Sequence, residues 1–308
     1  MNGFDDQIRS EDLEGSQNLL NELFTAVKEE EGTLAGGTKL GLGGDSLEAL
    51  LKSKVAFGNP YDNLIRLDEA LFQNLGIELT VIRKKQMREQ FDFYYLTLAV
   101  ALQPSRGAQF TRLECQLTFG PQGPDEPIVD AVFPTSQWRV LLDWGGGLKL
   151  GLGGNLDWQA EASLPTALQH QLPLDVRASV HGTGGLKGFV VIPDFSYQVG
   201  RPEITAIGTG AECFWRLDNA TLQQTQTVPF AIVFKVPHGT STVQMTGLVS
   251  AEPNFKWLAA NIRDVFAHLG DKLKAIFQSE RRGRERLPLG DHETWTITLP
   301  RGTIAAQA

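Results

Sequence analysis

Between residues 77 and 249, apolar side chains recur at every second position, and this period restricts the possible folds more than any other feature of the chain. Leu113, Cys115, Leu117 and Phe119 alternate with Arg112, Glu114, Gln116 and Thr118, as in a strand with one face in a core and one in water. Leu156, Trp158, Ala160 and Ala162 alternate in the same way with Asp157, Gln159, Glu161 and Ser163. So do Leu174, Val176, Ala178 and Val180 with Asp175, Arg177, Ser179 and His181. Residues 228–236 are apolar almost throughout and stop at Pro237. Turn-forming clusters lie between these runs, at Pro104–Gly107, Gly120–Pro124, Gly182–Gly185 and Pro237–Gly239. About ten strands in short hops, with no helical pattern between them, predict an antiparallel β-sandwich. A parallel sheet would need crossover helices.

The flanks follow a helical period. Leu19, Leu20, Leu23, Phe24 and Val27 fall on one helical face starting at Ser16, and Met1–Gly15 reads as a mobile acidic arm. A short helix is expected from Asp45 or Ser46 through Leu51, and a second on the stripe Leu64, Leu67, Leu71 and Leu75. Near the other end, Phe255, Leu258, Ile262, Val265, Phe266, Leu269, Leu273, Ile276 and Phe277 are spaced by threes and fours. Asn254 is placed to cap that helix. Arg281, Arg282, Arg284 and Arg286 form a basic linker after it, and Trp295, Ile297 and Leu299 alternate as a last strand. The expected fold is therefore α+β and mainly β. It has an acidic arm and helical region over 1–76, a β-sandwich core over 77–253, and the amphipathic helix, linker and final strand over 254–308.

One phrase is written twice with two changes: residues 36–45, GGTKLGLGGD, and residues 146–155, GGLKLGLGGN. Glycine persists where φ must be positive or a second backbone must come close, and the Leu/Gly alternation is strand-like. Each copy is expected to be a short strand or arm in an equivalent environment. The alternative for the first copy is a phosphate cradle opening a helix at Asp45. It lacks the Lys-Ser/Thr pair and the preceding apolar strand that such a loop needs.

Composition narrows the functional classes. The chain has 308 residues and a net charge of −8, and its first 31 residues hold nine carboxylates against Arg9 and Lys28. The near-neutral remainder argues against a nucleic-acid surface, and the basic runs at residues 83–88 and 281–286 are not interleaved with stacking aromatics. No apolar run is long enough for a membrane-spanning helix, and the acidic N-terminus lacks secretory-signal character, so a cytoplasmic location is expected. Cys115 and Cys213 are far apart in strand-like runs and read as two buried thiols. Trp138, Trp144, Trp158 and Trp215 read as core rings.

The search for reactive groups finds no Gly-x-Ser-x-Gly, His-Glu-x-x-His or Cys-x-x-Cys motif. His170, His181, His238, His268 and His292 are scattered over different elements. Cys213, His238 and Asp218 could form a nucleophile, a base and an orienting carboxylate only if the strands gathered them. No catalytic residue, cofactor or metal is implied. Three functional readings follow. The first is a non-enzymatic module that binds partner proteins through its acidic helical arm and C-terminal helix. The second is a membrane-associating or pore-forming effector released by proteolysis at Arg281, Arg282, Arg284 or Arg286. The third is a hydrolase with an unrecognised site. In either of the first two readings the contact residues are Phe255, Trp257, Leu258, Ile262, Phe266 and Leu269.

Overall fold

The computed structural model describes residues 8–33, 38–74, 79–121, 123, 126–133, 142–144, 148–150, 176–183, 186–193, 203–219, 222–224, 227–254, 256–258 and 287–301. In chain order the elements are α1 (Ser10–Thr33), α2 (Thr38–Lys52), β1 (Lys54–Phe57), β2 (Leu64–Leu67), α3 (Glu69–Asn74), α4 (Val81–Glu89), β3 (Phe91–Gln103), β4 (Phe110–Gly120) and β5 (Ile128–Phe133). Then come β6 (Leu142–Trp144), β7 (Leu148–Leu150), β8 (Val176–Thr183), β9 (Leu186–Pro193), β10 (Glu203–Thr209), β11 (Glu212–Asp218), β12 (Thr227–Pro237), β13 (Thr242–Pro253) and β14 (Leu289–Thr298).

The molecule is mainly β, with two antiparallel five-stranded sheets. In the first, β1 and β2 lie end to end along one edge of β3, and β12 and then β5 continue from its other edge. The second has the order β10-β11-β4-β13-β14. The alternation in β4 does what its period implies: Leu113, Cys115, Leu117 and Phe119 are buried, and Arg112, Gln116 and Thr118 are partly exposed. These inner residues meet the inner face of the first sheet. Phe119 stacks on Phe234 with ring centroids 4.8 Å apart, and Trp215 lies 4.9 Å from Phe230.

The two sheets also touch along both edges, and glycine makes each approach possible. At one edge a Cβ on Gly208 of β10 would lie 2.8 and 2.9 Å from the methyl groups of Val132 and Val129 of β5. At the other, a Cβ on Gly247 of β13 would lie within 2.8 Å of the Trp295 and Phe57 rings, which are themselves locked edge to face.

The helices cover what the sheets leave open. Leu19, Leu20, Leu23 and Val27 of α1 and Leu47, Ala49 and Leu50 of α2 join the inner core. On the opposite face of the first sheet, Phe72 and Leu79, with Leu71 and Met87, cover Phe93, Tyr95, Phe133, Ala231 and Val233. Thr80 caps α4 by accepting a hydrogen bond from the Arg83 amide at 3.3 Å.

Several sequence expectations are overturned. α1 starts at Ser10, not Ser16. The Arg9 amide donates to Asp12 Oδ2 at 2.7 Å and Ile8 is buried just ahead of the helix, so residues 10–15 of the expected arm are helical, though largely exposed. Leu64 and Leu67 belong to a strand, because β3 offers them a free edge, and only Glu69–Asn74 is helical. The period-2 region begins at Phe91, because the basic run at residues 83–88 lies within the helix α4.

The glycine phrases do not share a conformation. Residues 38–45 of the first copy lie in α2, although each interior glycine costs a helix roughly 1 kcal/mol relative to alanine; Gly36 and Gly37 lie outside the described residues. The buried residues Leu47, Ala49 and Leu50 impose helical spacing, and the helix extends back through the phrase to Thr38. This places the amides of Gly41–Gly44 inside the helical hydrogen-bond ladder, which removes the phosphate-cradle reading. In the second copy, Leu148–Leu150 is strand β7 because β6 and β9 flank it; the rest of that copy lies outside the described residues.

Replacement of Gly247 by alanine is expected to force apart the Phe57–Trp295 pair. It should lower the unfolding free energy by roughly 1–3 kcal/mol, read as a lower urea midpoint at unchanged slope.

Candidate functional site

The possible catalytic trio is not assembled. Cys213 points into the core between the sheets and is fully buried. Asp218 is held on the outer face by Arg112 at 2.7 Å, and His238 lies in the turn after β12 with Nδ1 3.2 Å from Asp92. Among the described residues no group of three or more His, Cys, Asp or Glu is placed to hold a metal ion. Burial pushes both thiols well above the ordinary thiol range, so neither is a thiolate nucleophile at neutral pH.

The outer face of the second sheet departs from the wet face that its alternation implies. Glu114, Ser250 and Glu252 are buried there. The register sets Arg216 opposite Glu114, and Arg112 between Asp218 and Glu252. Arg216 donates from Nε to Glu114 at 2.6 Å, and Arg112 lies 3.5 Å from Glu252. Charges this buried are tolerable only as opposed pairs, which makes the row a structural feature.

Among the described residues, the third sheet shares no strand pair with the sandwich. Its order is β6-β7-β9-β8. All four fall within residues 134–202, between β5 and β10. Those two flanking strands already meet at Gly208, Val129 and Val132, so the two main sheets close without the segment between them.

Register shows what this small sheet presents. Leu142, Leu150, Val191 and Ala178 form one cross-strand row, and Trp144, Leu148, Phe189 and Val180 form the next on that face. On the other face the row is Asp143, Lys149, Val190 and Ser179. The Val176–Pro193 row continues the apolar face, the Gly182–Lys187 row at its end brings in a cation, and the other face is mixed. The pairing of β7 with β9 is parallel, whereas the other pairs are antiparallel.

Asn254 caps a helical turn as its position suggests, accepting from the Trp257 amide through Oδ1 at 3.1 Å. Leu258 is buried in the inner core and Trp257 packs against it. Phe255, Ile262, Phe266, Leu269 and the arginines Arg281, Arg282, Arg284 and Arg286 lie outside the described residues. No helix among the described residues is long and apolar enough to cross a membrane. The third sheet was visible in sequence as the alternation at residues 174–181 and the strand-like Leu/Gly phrase at residues 146–155; its mainly apolar face appears once four short strands are in register.

No family model and no curated protein matches the chain. Among solved structures, it is similar to the delta-toxin of Clostridium perfringens at 8% identity, covering 65% of this chain and 78% of the toxin with a TM-score of 0.30. It is similar to a pore forming protein at 6% identity, covering 79% and 88% with a TM-score of 0.33. The NetB toxin of Clostridium perfringens in its membrane-inserted form overlaps at 6% identity, 53% and 78% coverage and a TM-score of 0.22. At TM-scores of this size the likeness fixes neither fold nor activity.

The thiols make a pH prediction. An acid whose pKa is raised by folding keeps its proton in the native state and loses it first in the unfolded chain, so stability is complete below the unfolded pKa and falls above it. From about pH 9 upward, Cys115 and Cys213 should together reduce the unfolding free energy by up to about 2.7 kcal/mol per pH unit. Burial also pushes Tyr94 and Tyr95 up to about 12, so they extend the decline above about pH 10. Urea midpoints between pH 8 and pH 10.5 give the slope, and the Cys115→Ala/Cys213→Ala protein should lack its first part.

Proposed function

We propose that this protein acts on membranes, and that the strands carried by residues 134–202 are the part that enters the bilayer. The observation that supports this most is a small sheet with one face apolar in all but its Gly182–Lys187 row, carried between two strands that already touch at Gly208, Val129 and Val132. In water such a face must be covered; in a bilayer it can face lipid while the mixed face lines a polar interior. β8 and β9 are eight residues each, near the roughly nine to eleven that a tilted bilayer-crossing strand needs. Among the described residues, release of the segment breaks no strand pair of the main sheets.

The partner-protein reading draws no comparable support. α1 buries its apolar face in the core, and the described turn at residues 256–258 is pinned by Leu258, so neither described part is a displayed binding arm.

Membrane-spanning barrels are antiparallel throughout, so the parallel β7–β9 pair has to separate before insertion. Cysteines introduced at Lys149 and Val190, which are partners in that pair, should abolish dye release from lipid vesicles when oxidised and restore it on reduction. Equal release from the oxidised and reduced forms would sink the proposal, as would failure of the unmodified protein to permeabilise any vesicle.

A further inference from the structure

Val81 and Ile82 stand in water. They are 84% and 74% exposed, and with Tyr61 they are the large apolar side chains left exposed among the described residues. Fraying does not explain this, because α4 is fastened at both ends. Arg83 makes a two-pronged contact with Asp130, at 3.2 and 3.0 Å, and its guanidinium lies over the Phe93 ring at 4.9 Å. Arg88 makes a second two-pronged contact with Glu69, both bonds at 2.7 Å. Asp130 is available because β5 has a bulge: the register steps from Ala131 to Val129 opposite Val233 and Phe234, leaving Asp130 as the extra residue. The rigid mount therefore holds two aliphatic side chains outward.

We infer that the first turn of α4 is a membrane-surface anchor, with Val81 and Ile82 entering the headgroup region of an anionic bilayer. The inference rests on the reading that the chain acts at a bilayer, and it names the surface that makes first contact. Three observations favour lipid over a protein partner. Two aliphatic side chains make a patch far smaller than the roughly 1,000 Å² that a specific protein interface needs, whereas a bilayer demands no shape match. Lys84 and Lys85 follow one helical turn later, so cations flank the apolar tip on a chain whose overall charge is −8. The tip also lies within one turn of the contact to β5, and β5 leads at Phe133 into the segment that carries the third sheet. An anchor here holds the root of that segment near the bilayer.

Co-sedimentation with phosphatidylcholine vesicles, with and without phosphatidylserine, tests the anchor, and dye release is measured in parallel. Val81→Ser/Ile82→Ser should lower partitioning roughly tenfold or more while leaving the thermal midpoint unchanged, because both residues are already solvated. Val81→Leu/Ile82→Leu should bind like the parent. Lys84→Gln/Lys85→Gln should lose the preference for phosphatidylserine by about fivefold per lysine. Partitioning of the serine protein equal to the parent overturns the anchor, even if dye release persists and the inserting segment stands. Binding without dye release leaves the anchor standing and removes the insertion reading. No binding by the parent removes both. A parent that dimerises in solution through this turn, with the serine protein monomeric, assigns the patch to a second copy and overturns the lipid assignment.

Discussion

β3 is buried on both faces, and the rest of the molecule is arranged to cover it. Tyr94, Leu96, Leu98, Val100 and Leu102 face the second sheet, while Phe93 and Tyr95 face α3 and α4. A strand with two apolar faces cannot sit at the surface of a two-layer fold, so it needs a sheet on one side and helices on the other. Its 13 residues are also long enough to pair with β1 and β2 end to end along one edge. The N-terminal segments are thereby tied into the first sheet by backbone hydrogen bonds as well as by side-chain packing.

This leaves a division of labour. The main sheets meet through aromatic stacking in the middle and through close backbone approach at both edges, Gly208 on one side and Gly247 on the other. Residues 134–202 join two strands that already touch, and their described strands β6–β9 pair only with one another. The clamp between α4 and β5 has the opposite character. Arg83, Asp130, Lys235 and Phe93 form one charged and aromatic contact on the strand that leads into the segment, which keeps its root fixed.

The distribution of charge follows the same separation. Buried charges occur as opposed cross-strand pairs such as Arg216 with Glu114, where geometry offsets desolvation. The two thiols, without ionised partners, stay protonated in the core. Ion pairs such as Glu48 with Lys52 remain on helix surfaces and contribute little.

Read alone, the amino-acid order determined those features whose cause is local. The two-residue period of Arg112–Phe119 assigns β4 and its inner face, because successive side chains of any strand point to opposite sides. Asn254 announces its cap, and the apolar surroundings of Cys115 and Cys213 announce buried thiols. Tertiary structure alone decided what depends on a distant partner. Residues 38–45 of the first glycine phrase entered a helix whose Leu47 and Leu50 join the inner core, and Leu148–Leu150 of the second entered a strand where β6 and β9 offer backbone partners. Leu64–Leu67, helical by spacing, became a strand against β3. The exposure of Val81 and Ile82 follows from Arg83 reaching Asp130, 47 residues away, and the apolar face of the third sheet from the register of four short strands. Periodicity records which side chains share a face within one element, but it carries no information about which other element that face or edge will meet.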